Sequence, residues 1–235
     1  MELTQKLFNL LFPARCVLCQ QTLKQDTGVC ADCYRHLPYN DICCVRCALP
    51  LAEAVKTTVF CGRCITRQPY FDYVCSPFRY ENDVIRLVHQ LKFSEKISSA
   101  SIIGEMLLPA FLKTNEKPDC LLPVVLHASR MRQRGFNQSI EISRRLSRKL
   151  NIPVEYDAVV RQRSTPAQTG LNARQRLKNI KGAFSVVEKL TYKHVLIVDD
   201  VITTGATVNE LARVLKQNKV PRVGVLSIAR APVKG

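Results

Sequence analysis

No apolar run in these 235 residues approaches the roughly 20 that a membrane-spanning helix needs, so no bilayer span is expected. Two widespread phosphate-binding strings are also missing. Neither Gly-x-x-x-x-Gly-Lys-Ser/Thr nor Gly-x-Gly-x-x-Gly occurs, which sets aside P-loop and dinucleotide folds. The opening MELTQKLFNLLFP carries an acid where an export signal wants base, and its apolar core is short and broken. It reads as an amphipathic helix on Leu3, Leu7, Leu10 and Leu11, stopped before Pro13, and a cytoplasmic location is expected. Acid is scarce overall, with 19 Asp plus Glu against 35 Lys plus Arg and a formal net charge of +16. The excess is local: residues 130 to 181 hold thirteen basic and three acidic side chains. Such a surface suits pyrophosphate, a nucleic-acid backbone, or both.

Cysteine, by contrast, is abundant. Eleven cysteines without an export signal argue for metal ligation over disulfides. Eight fall in four Cys-x-x-Cys pairs: Cys16 with Cys19, Cys30 with Cys33, Cys44 with Cys47, and Cys61 with Cys64. Each pair can give two thiolates to a tetrahedral Zn²⁺, so one or two zinc ions are expected. Spacing alone allows consecutive pairing, as in a double zinc ribbon, or interleaved pairing. Cys43 is an alternative ligand to Cys44, while Cys75 and Cys120 read as buried thiols in strands. Two filled Cys₄ sites would lower the net charge to about +12. Residues 14 to about 67 are too few to fold on apolar burial alone and depend on the metal.

The most informative stretch is KHVLIVDDVITTGA, residues 193 to 206. Val195 to Val198 have no polar alternation and predict a buried parallel strand ending in Asp199 and Asp200. Thr203, Thr204, Gly205, Ala206 and Thr207 follow, leading into a helix whose apolar face is Val208, Leu211, Ala212 and Leu215. A strand, a tight turn and a helix N-terminus gather backbone N–H groups at one point, which suits a phosphate monoester. The two carboxylates would repel a bare polyphosphate unless they face hydroxyls or a metal ion. Ribose hydroxyls, or Mg²⁺ bridged through them, meet that condition.

This stretch closely resembles the 5-phosphoribosyl 1-pyrophosphate (PRPP) motif of type I phosphoribosyltransferases. The resemblance implies an α/β fold, a mainly parallel sheet flanked by helices, beside the small N-terminal Cys-rich zinc-ribbon domain expected from the cysteine pairs. The expected division is 1–69 for the helix and ribbon and 70–235 for the phosphoribosyltransferase-like domain.

Elsewhere, FDYVCSPFRY predicts a strand turning at Pro77. A helix capped by Asn82 or Asp83 follows, then a second over 97–113 that Pro109 bends or shortens, and a buried strand over 119–126. Next comes HASRMRQRGFNQS, read as a basic loop (His127, Arg130, Arg132, Arg134, Gly135), with Asn137 and Gln138 opening a helix on Ile140, Leu146 and Leu150. A basic loop at the carboxyl end of a parallel strand is where open α/β sheets bind anions. A strand over 154–160 leads to a lid-like segment holding Arg163, Thr165, Gln168, Arg174 and Arg176, with Asn172 capping a short basic helix. A last strand covers 222–230.

RGFNQ at 134–138, and Thr165, Gln168, Leu171, Arg174, Arg176, Asn179, Gly182 and Phe184, resemble the ComF family of competence-associated proteins. That likeness covers nearly the whole chain. It implies Mg²⁺–PRPP held by Asp199, Asp200 and Thr203 to Thr207, with pyrophosphate at the 127–138 loop. It also implies handling of single-stranded DNA in natural transformation, with competence machinery as a possible partner. No residue stands out as a reader of a purine, pyrimidine or amine acceptor. Two other readings are therefore carried: a working phosphoribosyltransferase, and a PRPP-responsive regulator without turnover.

Overall fold

The run from Val195 to Val198 lies at the centre of the sheet. The computed structural model describes residues 14–23, 28–52, 59–93, 97–163 and 179–232. In it the central strand spans His194–Ile202, further than the apolar run alone marks, because Asp199 to Ile202 keep pairing with the strand Arg222–Arg230.

In chain order the elements are α1 (Ala31–Arg35), α2 (Gly62–Thr66), β1 (Tyr73–Cys75), β2 (Phe78–Arg79), α3 (Asn82–Phe93), α4 (Ile97–Leu112) and β3 (Cys120–Pro123). They continue with α5 (Ala128–Arg134), α6 (Gln138–Leu150), β4 (Val159–Arg161), β5 (Phe184–Val186), β6 (His194–Ile202), α7 (Ala206–Gln217) and β7 (Arg222–Arg230). The main sheet runs β1-β7-β6-β3, wholly parallel, and β2 continues beside the far end of β7. Beyond β3, Leu121 forms a parallel bridge with Val154. The chain leaving β3 therefore returns on one side of it, whereas β6 and β7 lie on the other. Such a reversal opens a crevice at the carboxyl ends of β3 and β6, where ligands of open α/β sheets sit.

Both faces of this sheet are covered. Along β3, Cys120, Leu122 and Val124 enter one core and Leu121 the other; along β6, Val195 and Ile197 oppose Leu196 and Val198. Helix α7, with Val208, Leu211, Ala212 and Leu215 buried as expected, packs on the first face. Helices α3, α4 and α6 pack on the second.

The cysteine-rich segment joins both cores. Its first half adds Cys16, Leu18, Val29 and Leu37 to the second core, and its second half adds Cys44, Cys47, Leu49, Cys61 and Cys64 to the first. The ribbon thus straddles the sheet, one half on each face.

Two expectations change. Residues 127–134 form helix α5 rather than a loop, because His127 caps it, Nδ1 accepting from Ser129 N at 3.2 Å, and Gly135 closes it in the left-handed conformation (φ 73°). The strand expected over 154–160 is split: Val154 bridges the main sheet, while β4 pairs antiparallel with β5. Helix α4 runs over Ile97–Leu112, close to the expected 97–113, with Pro109 inside it. The expected amphipathic helix at residues 1–13 and the helix capped by Asn172 lie outside the described residues.

Candidate functional site

The site is built where β6 gives way to α7. Asp199 and Asp200 are half-buried and line a cleft of about 410 Å³ together with the turn Thr203 to Thr207. The chain secures both acids locally: Asp199 Oδ1 accepts from Asp200 N at 2.8 Å, and Asp200 Oδ1 from Val201 N at 2.7 Å. These bonds aim the carboxylates while leaving further oxygen lone pairs for a ligand. Gly205 is the N-cap of α7 at φ 77°, ψ 4°, a left-handed turn that brings the helix N-terminus to the cleft. An added Cβ there would meet only Ile202 Cγ2 at 3.8 Å, so backbone conformation, not space, selects glycine. Thr204 Oγ1 accepts from Ala206 N at 3.3 Å and fixes the turn.

The opposite wall comes from β3 and α6. Asn137 caps α6 by accepting from Ser139 N at 3.0 Å, and its Nδ2 donates to Val124 O at 3.0 Å, tying the helix start to the end of β3. Gln138, 3% exposed, lines the cleft with its Nε2 buried and without a hydrogen-bond partner among the described residues. An unpartnered buried amide is costly unless an acceptor arrives, and a ligand oxygen supplies one.

Of the three arginines expected here, Arg130 lines the cleft. Arg132 is exposed outside it, and the side chain of Arg134 lies outside the description. His127 and Gly135 serve as the ends of α5 and do not line the cleft. A second cation was not anticipated: Arg161, at the end of β4, reaches the cleft beside Arg130. Burial pushes its guanidinium down, Arg130 adds to that, and Asp199 opposes it. Phe184 on β5 lies beneath it, 5.6 Å from ring centroid to guanidinium carbon. Tyr80 and His89 complete the walls. Arg163 instead donates to Lys181 O at 3.1 Å at the surface, and Thr165, Gln168, Arg174 and Arg176 lie outside the described residues. The cleft therefore sets two acids and a helix N-terminus against two arginines, an arrangement that offers oxygen ligands to Mg²⁺ and cations to phosphate.

The cysteines form two quartets in consecutive pairing: Cys16, Cys19, Cys30 and Cys33, then Cys44, Cys47, Cys61 and Cys64, with all sulfurs of a quartet within 4.8 Å of one another. A tetrahedron with Zn–S bonds of about 2.3 Å has edges near 3.8 Å. The Cys19–Cys30 and Cys47–Cys61 sulfur separations are 3.8 and 3.6 Å. Both quartets thus fit zinc. Backbone amides prepare thiolates as well: Cys30 N donates to Cys16 Sγ at 3.4 Å and Cys61 N to Cys44 Sγ at 3.3 Å. Burial pushes the Cys16 and Cys44 thiols up, but these and neighbouring amides outweigh it and bring them to about 6 and about 7. Cys43 is left out of the second quartet, and Cys75 and Cys120 are buried.

One side chain joins the second quartet to the cleft. Arg230, 3% exposed, donates Nε to Cys47 O at 3.1 Å and Nη1 to Ile202 O and Ala231 O at 3.0 Å each, and contacts Thr203 O.

A double zinc ribbon domain model matches residues 7–65, and a phosphoribosyl transferase domain model matches 137–234. The chain is 35% identical over 227 residues to DNA utilization protein YhgH of Escherichia coli K12, covering 94% of this chain and 99% of that protein. It is 31% identical over 232 residues to Competence protein F of Haemophilus influenzae, covering 94% and 98%. Among solved structures, a glutamine PRPP amidotransferase from B. subtilis, complexed with ADP and GMP, aligns at 18% identity and a TM-score of 0.41, over 60% of this chain and 30% of that one.

Proposed function

Because the chain belongs to the ComF family, with Competence protein F and DNA utilization protein YhgH as relatives over nearly its full length, we propose that its cleft binds magnesium-complexed PRPP in the service of DNA uptake. Asp199 and Asp200 face the ribose hydroxyls and the metal, Thr203 to Thr207 and the α7 N-terminus hold the 5-phosphate, and Arg130, Arg161 and Gln138 receive pyrophosphate. Mg²⁺, when bound, supplies charge neutralisation between the carboxylates and the pyrophosphate. The observation that carries the reading is this meeting of acid pair, threonine-glycine turn and arginines at the sheet's reversal point. Titration calorimetry tests it: Mg²⁺–PRPP should give saturable heat that weakens at least about tenfold in Asp200→Asn. Equal binding by both proteins refutes it.

The same protein handles single-stranded DNA in this reading, with competence machinery as partner and the cytoplasm as its location. Support comes from the relatives' names and from the basic excess over residues 130–181. Affinity for a single strand should fall steeply with salt.

A further inference from the structure

A second cavity, about 720 Å³, adjoins the cleft across the same turn, sharing Ile202, Thr204, Gly205 and Ala206 with it. Its size lies within the range of small-ligand pockets. The second zinc module forms one side and α7 the other, so the cavity exists only because the ribbon packs on this face.

Its lining divides by chemistry. Leu49, Phe71, Ile180 and Ile202 give a buried apolar wall, and Tyr70 also lines the cavity, 47% exposed. Tyr70 is held in place because its backbone N–H donates to Asn209 Oδ1 at 2.8 Å. Around this wall lie Arg63, Arg67, Lys181, Arg213 and Arg230 against one carboxylate, Glu210. Two of these cations are already engaged: Arg213 pairs with Glu210, and Arg230 binds carbonyls beside the thiolate-rich centre. Arg63 lies on α2 and Arg67 is the extended residue that ends it (φ −143°, ψ 101°); both are exposed, and neither guanidinium has a carboxylate partner among the described residues.

An apolar wall with an exposed aromatic edge suits a flat heterocycle, and two exposed guanidinium groups in the same lining suit a phosphate. We infer that this cavity is a nucleotide site, the base lying on Tyr70 and the apolar wall and the phosphate meeting Arg63 and Arg67. A free mononucleotide and one unit of a single strand present this same chemistry. The site goes beyond the PRPP reading and does not depend on it, since none of Tyr70, Arg63 and Arg67 lines the sugar-phosphate cleft.

The test uses the zinc-loaded full chain with three probes: thymidine 5′-monophosphate, a short oligothymidylate, and inorganic phosphate. Tyr70→Ala and the double change Arg63→Glu, Arg67→Glu should each weaken nucleotide binding at least about tenfold, and Asp200→Asn should not. Monophosphate binding lost in the cavity variants assigns a free nucleotide; binding confined to the oligomer, and lost in the same variants, assigns a strand. Inorganic phosphate binding as well as the nucleotide, or nucleotide binding indifferent to Tyr70→Ala and the Arg63, Arg67 change, overturns the assignment. Mg²⁺–PRPP calorimetry on the same variants keeps the two sites separable, because it should be unaltered in Tyr70→Ala. Tyr70, Arg63 and Arg67 are exposed and Asp200 is half-buried, and circular dichroism with zinc content confirms that each variant is folded.

Discussion

Replacing Arg230 with methionine removes a buried guanidinium but keeps most of the volume. Three carbonyl oxygens, those of Cys47, Ile202 and Ala231, lose a charged donor at 3.0 to 3.1 Å, and Thr203 O loses a contact. Bonds to charged groups contribute about 1.5–3 kcal/mol each, and three of them would total well above 4 kcal/mol. The variant no longer desolvates a cation, which offsets several kcal/mol of that. Burial does push the Arg230 guanidinium down, consistent with such a penalty. The expected net loss is about 2–4 kcal/mol, read as the shift in urea unfolding of the zinc-loaded protein. A purely structural role would stop there. Because one guanidinium bonds both the second quartet's backbone at Cys47 and the stem of the phosphate turn, two further changes should accompany it. Zinc from the second quartet should be released faster to a chromogenic chelator, and the Mg²⁺–PRPP dissociation constant should rise about tenfold. Coupling of equilibrium affinities is reciprocal, so if zinc in the second quartet strengthens PRPP binding, saturating PRPP should strengthen zinc binding there by the same factor. Arg230→Met with wild-type unfolding, zinc retention and PRPP affinity would refute the reasoning.

Other outcomes follow from the same geometry. Gly205→Ala places an L side chain at φ 77° with room around it, so it should cost about 1 kcal/mol and weaken PRPP binding by calorimetry rather than unfold the domain. Asp119, whose Oδ2 accepts from Lys193 N and His194 N at 2.8 Å each, clamps the start of β6 from an exposed position; Asp119→Ala should lower stability by about 1 kcal/mol in urea titrations and leave PRPP affinity unchanged. Zinc removal by a strong chelator should expose both cores, read as a dye-binding and proteolysis signal that reverses when zinc is restored.

The central strand, its turn and α7 were legible because three independent patterns agree there: an unbroken apolar run, an acid pair with a glycine turn, and a period of 3.6 over Val208 to Leu215. The pairing of the cysteines was not, since equal spacings serve consecutive and interleaved partners alike. Only the packing of each half against its own sheet face decides between them. Arg161 escaped notice for a related reason. Its sequence neighbours are bland, and its approach to Asp199 depends on the β4–β5 hairpin, a contact between residues more than twenty positions apart. The error over residues 127–134 was local: three arginines suggested a solvated loop, whereas His127 and Gly135 mark the two ends of a helix.

The straddling ribbon has a consequence for synthesis. Its two halves are synthesised before the sheet they pack on, with Leu18, Leu37 and Leu49 belonging to cores that also need residues of β6 and β7, translated more than a hundred residues later. Until then metal alone can give the nascent segment a shape, and its greasy sides stay bare. Cells short of zinc should therefore lose this protein during translation, to aggregation or proteolysis, before any question of its activity arises.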